Sequence, residues 1–135
     1  MPNETISIVA IHWKIKKGME TEFEQKWRTV FKVGNRDGLI GEFLSKVEHR
    51  DAAHPYITWP IQCDDPALEE QCTHYVNVGL WSSHERFFAE VGHLMKDDRP
   101  PADFEIEKRR RIAITPVEWR RGPAVLPESD SPGTE

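Results

Sequence analysis

The chain reads as an α+β domain in which two helices cover one face of a four-stranded antiparallel sheet. Two observations predict this. Four short segments are rich in β-branched and aromatic residues, and two others carry apolar residues at helical spacing. They follow one another as strand, helix, strand, strand, helix, strand, an order that places the helices together on one side of the sheet.

Ile6 to Ile15 (ISIVAIHWKI) is the first strand. Both of its faces are apolar, with Ile6, Ile8 and Ala10 on one and Val9, Ile11, Trp13 and Ile15 on the other, so it is expected to be covered on both sides. Lys16-Lys17-Gly18 closes it with a turn. Met19 to Val33 follows as an amphipathic helix whose stripe is Met19, Phe23, Trp27, Val30 and Phe31. Glu22, Lys26 and Arg28 take its solvent side, and Gly34-Asn35 supplies the stop. Leu39 to His49 is the second strand, with Leu39, Phe43 and Val47 among its apolar positions.

Residues Arg50 to Thr73 form a long polar insertion with Pro55, Pro60 and Pro66 and room for a short helix near Ala67 to Gln71. Long connections of this kind often serve as lids. Tyr75 to Trp81 (YVNVGLW) is the third strand, with Val76, Val78 and Leu80 on one face and Tyr75, Asn77, Gly79 and Trp81 on the other. Ser82 and Glu85 make a capping box that opens the second helix, whose stripe is Phe87, Phe88, Val91, Leu94 and Met95. Asp98 to Pro101 ends it. Arg111 to Trp119 (RIAITPVEW) is the fourth strand, where Pro116 indicates a bulge or an edge.

The whole order is ferredoxin-like, βαββαβ. Residues 1–121 are expected to form the domain, with the insertion at 50–73, and residues 122–135 an extended arm running into a disordered tail. Hydrophobic residues make up 38% of the chain and charged residues 30%, which is lean for a self-sufficient core. One sheet face also lacks a cover. Trp13 or His12, Phe43, Tyr75, Asn77 and Trp81 would meet water in a monomer, and stacking two sheets into a shared barrel hides them. A homodimer, the dimeric α+β barrel, is therefore expected. The formal net charge of −5 argues against nucleic acid or an anionic membrane as partner. No apolar run approaches the roughly 20 residues that span a bilayer. Met1 to Thr5 lacks the pattern of a secretory leader, so a cytoplasmic location is expected.

Several segments carry a family likeness. Tyr75-Val76-Asn77-Val78-Gly79-Leu80-Trp81-Ser82-Ser83, followed by a helix with Phe87-Phe88, resembles the third strand and second helix of antibiotic biosynthesis monooxygenase domains. The Lys-Lys-Gly that ends the first strand and the Gly-Leu-Ile-Gly at Gly38 to Gly41 match as well. The resemblance spans about Ile6 to Trp119 apart from the insertion. It implies a monooxygenase that needs no cofactor and oxidises a small aromatic or quinol-type substrate with dioxygen. The Asn-x-x-x-Trp spacing of such enzymes falls on Asn77 and Trp81, and the polar residue of their first strand on His12.

The chemistry has a physical basis. A deprotonated polyphenol can itself donate an electron to dioxygen, so the protein supplies a dry pocket and donors that stabilise the anion. An amide and an indole N–H suit that role, and a histidine, as at position His12, ordinarily titrates near neutrality, as a base must. Tyr75, Trp13 and Phe43 would line the pocket, with Tyr56 and Trp59 on the lid.

A haem-degrading branch of the same superfamily offers an alternative. Trp81 matches its tryptophan and His93 lies where an axial ligand would, but Ile11 occupies the position of its first-strand asparagine.

Plainer roles stand beside each of these. Trp81 can simply fill the interior, Asn77 can satisfy a backbone group, and His12 and His93 can be ordinary core or surface histidines. On those terms the chain is a non-catalytic ligand-binding dimer. His54, Cys63, Cys72 and His74 are residue types that suit zinc, but their spacing is loose and contains no Cys-x-x-Cys pair. A polar lid with two incidental thiols, and no metal site, is the expectation. Lys108 to Arg111 with Arg120 and Arg121 form either a guide for an anionic substrate or a solvated flank of the fourth strand.

Overall fold

The computed structural model describes residues 6–31, 36–48, 61–91 and 101–125. The elements run β1 (Ser7–Lys16), α1 (Glu20–Thr29), β2 (Leu39–Lys46), a 3-10 helix (Pro66–Gln71), β3 (Cys72–Trp81), α2 (His84–Val91) and β4 (Glu105–Ile114). The strands form one open antiparallel sheet in the order β2-β3-β1-β4. Two α-helices and this strand order are compatible with the expected ferredoxin-like fold.

Local chemistry explains the turns. Gly18 takes φ +96°, a left-handed conformation open to glycine, between β1 and α1. Its amide donates to Glu20 Oε1 at 2.8 Å. Glu20 and Glu22 sit in the first turn of α1, and Lys26 and Arg28 in its last, as the helix dipole favours. Ser83, not Ser82, caps α2, its hydroxyl accepting from the Arg86 amide at 3.1 Å.

The register Val9↔Gly79, Ile11↔Asn77, Trp13↔Tyr75 puts these residues on one face, and both helices pack there. Under α1, Phe23 lies 4.9 Å from Trp13, 4.8 Å from Tyr75 and 5.4 Å from Phe104, measured between ring centres. Under α2, Phe87 closes on Val9 and Trp81. This corrects the expected facing. Trp13, Tyr75, Asn77 and Trp81 are buried by the chain's own helices rather than left for a second sheet to hide. With β1 apolar on both faces, alternation alone does not say which face the helices take.

β4 lies upstream of its expected position, over a segment rich in charge. Each charge in it has a use. Glu107 accepts from Lys14 at 3.0 Å, Arg109 pairs with Glu105 at 3.0 Å and covers the Trp13 ring at 4.2 Å, and Arg110 reaches Asp64 at 3.0 Å. Arg109 and Arg110 of the basic run Lys108 to Arg111 are thus ion-paired or stacked, and their strand is an edge. Pro116 lies just past its end.

The opposite face divides in two. Over one end, residues 61–71 fold down on Lys14, Cys72 and His74, all three fully enclosed. At the other end Ile8, Ala10, Val76, Val78 and Leu80 are only half-buried. Beside them Phe43, Ile112 and Ile114 stay 41%, 57% and 49% exposed. No helix among the described residues is long and apolar enough to cross a membrane.

Candidate functional site

Asn77 occupies the seam between the two apolar clusters of the helix-covered face, directly across β1 from Ile11, which packs against both. Its Oδ1 accepts from Trp27 Nε1 at 3.2 Å, and its Nδ2 donates to the Phe43 carbonyl at 3.2 Å. β2 brings Glu42 to the same face, in register with Gly79. Burial raises the Glu42 carboxyl above its ordinary pKa, and a hydrogen bond from Asn77 and the charge of Arg36 offset part of the rise.

Trp81 stands two pairs along β3 on that face. A Cβ on Gly79 would lie 3.2 Å from Trp81 Nε1, so the glycine leaves room for the indole edge to lie across the strand. The result is a polar group set within an apolar layer. It contains a carboxyl, an amide and two indoles, one proton acceptor beside several N–H donors.

Tyr75 is buried further along the same face and is committed elsewhere. Its hydroxyl donates to Glu24 Oε2 at 2.6 Å, and burial together with that carboxylate pushes the phenol well above its usual range. Trp13 is a core residue whose Nε1 has no acceptor among the described residues.

The polar residues of the opposite face form a second group. His12 Nε2 lies 2.7 Å from His74 Nδ1 with the two rings stacked, and His74 Nε2 lies 2.9 Å from Glu69 Oε2. Burial first, and then the neighbouring His74 and Lys14, lower the His12 pKa to about 4. Lys14 bridges to Glu107 and Asp64 at 3.0 and 3.4 Å.

The structure therefore brings Asn77 and Trp81 together and separates both from His12, which points to the other side of the sheet. Phe43 is also on that other side, in register with Val78. Tyr56, Trp59, His54 and His93 lie outside the described residues. Glu42 and Trp27 were not among the expected site residues. A signal existed for Glu42, a lone acid in the apolar run Leu39 to Leu44 that shares parity with Leu44. Trp27 offered none beyond its place in the α1 stripe. No protein-family model matches the chain, and no curated protein matches it.

Proposed function

We propose that the chain is a cofactor-independent monooxygenase of small aromatic or quinol-type compounds. It works as a homodimer, with its site on the helix-covered face. The observation that carries this reading is the grouping of Asn77, Trp81 and the burial-raised carboxyl of Glu42 on one face, between two apolar clusters.

Glu42 takes the phenolic proton, and Asn77 Nδ2 and Trp81 Nε1 donate to the phenolate oxygen. Electron transfer from the anion to dioxygen and recombination at the ring then give a quinone. One oxygen atom enters the ring and the other leaves as water, so the substrate supplies every electron. Dioxygen is apolar, and the surrounding aromatic layer suits it.

A second copy covers the apolar end of the opposite face, where Val76, Val78, Leu80, Phe43, Ile112 and Ile114 adjoin.

One observation favours a second reading, a non-catalytic ligand-binding dimer: the Asn77 amide is already satisfied at both ends inside the chain. Dioxygen uptake by chelator-treated protein across a panel of quinols and polyphenols separates the two. Uptake that falls about 100-fold or more in Glu42→Gln and sharply in Asn77→Ala and Trp81→Phe supports the oxygenase. Uptake indifferent to all three variants, or none with any compound, sinks it.

A further inference from the structure

On the opposite face, Cys63, Cys72 and His74 each bring a ligand atom within 4.8 Å of the others. All three are buried, at 6%, 0% and 1% exposure. They come from two places in the chain. Cys72 and His74 are alternate residues of β3 and leave the same side of the sheet, while Cys63 belongs to the segment folded over that side.

Glu69 ties the two together. Its Oε1 accepts from the Cys63 amide at 2.7 Å, and its Oε2 meets His74 Nε2 at 2.9 Å. A carboxylate only accepts, so Nε2 carries the proton and Nδ1 accepts from His12 Nε2–H. Nε2 is thus the ring nitrogen that now carries a proton, held towards Glu69.

We propose that Cys63, Cys72 and His74 bind a thiophilic divalent cation, zinc foremost, with a Glu69 oxygen as fourth ligand. Two thiolates, an imidazole and a carboxylate are a donor set that suits zinc or cobalt and not magnesium or calcium. Four protein ligands leave no open position, so the site is structural, pinning residues 61–71 to β3.

The surroundings fit as well. His12 stands at the far nitrogen of His74, and in the metal-bound tautomer its Nε2 accepts from His74 Nδ1–H, as outer partners of ligating histidines ordinarily do. Two thiolates and a carboxylate exceed a divalent charge by one, and Lys14, in register with His74 on the same face, is an ammonium there that it shares with Glu107 and Asp64. Asp64, Glu107 and Arg110 complete the charged groups facing it. On binding, the thiol protons leave to solvent, while the His74 proton moves from Nε2 to Nδ1 and that of His12 from Nε2 to its own Nδ1, so that both rings stay neutral. A disulfide between the cysteines is the competing use of the same sulfurs, but it assigns nothing to His74 or Glu69.

Cobalt titration of the reduced, chelator-treated full chain tests this. The expected result is one equivalent bound, with thiolate-to-cobalt charge transfer and d–d bands of tetrahedral intensity, both displaced by zinc. Cys63→Ser lies outside the strands, and its fold is checkable by circular dichroism; it weakens binding at least about tenfold and reduces the charge-transfer intensity. His12→Gln keeps the bands and lowers affinity about 10- to 100-fold. Reduced wild-type protein that takes up no cobalt with thiolate character overturns the proposal, whatever the variants do. So does binding that is the same in Cys63→Ser. Rapid oxidation of both thiols in protein that ignores cobalt replaces the metal site with a redox pair.

Discussion

Burying a carboxyl raises its pKa, and at Glu42 the shift has two consequences with opposite pH slopes. The first concerns stability. The folded pKa lies above the ordinary value of 4.5, so just above that pH the folded chain binds a proton the unfolded chain has released. The stabilisation is complete below 4.5 and is lost as pH rises through the folded value. Thermal unfolding from pH 4.5 upward should therefore show wild type losing stability relative to Glu42→Gln, which does not titrate. A difference that stays constant with pH would mean that the carboxyl is not shifted. The second concerns rate. In the proposed oxygenase Glu42 is the base, and a base works only when deprotonated, so oxygen uptake should climb over the same window in wild type and stay low throughout in Glu42→Gln. Opposite slopes from one residue are hard to obtain from a purely structural carboxyl.

Among the elements, α1 shows how a ten-residue helix is held. Its one fully buried side chain, Phe23, fits among Trp13, Tyr75 and Phe104. Phe23→Ala should cost about 3–5 kcal/mol, a large part of the ~5–15 kcal/mol that holds a domain folded. The denaturant midpoint measures it, and a change under about 1 kcal/mol would mean that α1 does not close the core as described. This contact was legible in the spacing Met19, Phe23, Trp27, which marks one helix face.

The helix-covered face itself was not legible. β1 offers apolar residues on both sides, and the choice is made by which side Phe23 and Phe87 can fill. The pairing of Asn77 with Trp81 followed from strand parity, but placing His12 beside them did not survive the register, because adjacent residues of a strand point apart. β4 was misplaced because Glu105 to Arg111 lacks strand composition and is held by its pairing with β1 and by the cross-strand ion pair of Glu107 with Lys14, which only the tertiary fold supplies. The meeting of Cys63 with Cys72 and His74 depends on a loop folding back over the sheet, and no local spacing encodes that.

At the scale of the whole molecule, the two faces of the sheet pose different problems. The helices solve one within the chain. Residues 61–71 solve half of the other, over the polar end where Lys14 and His74 need partners. The remaining half is apolar and continuous across all four strands, from Phe43 on β2 through Val78 and Ala10 to Ile112 on β4. Beyond β4, Val117 and Trp119 extend the apolar surface into an exposed segment, 91% and 53% exposed. An apolar face that crosses the strands resembles the buried half of a sheet-on-sheet packing rather than scattered surface residues. In the proposed homodimer a second copy brings the same face and so supplies a matching cover through two-fold symmetry. A lysine at the centre of that face would place like charges against each other across the axis. Val78→Lys should therefore shift the sedimenting species from dimer to monomer while the near-neighbour substitution Val78→Ile leaves it a dimer. If wild type itself sediments at monomer mass at micromolar concentration, the face is covered by something other than a second copy, and the homodimer falls independently of the oxygenase.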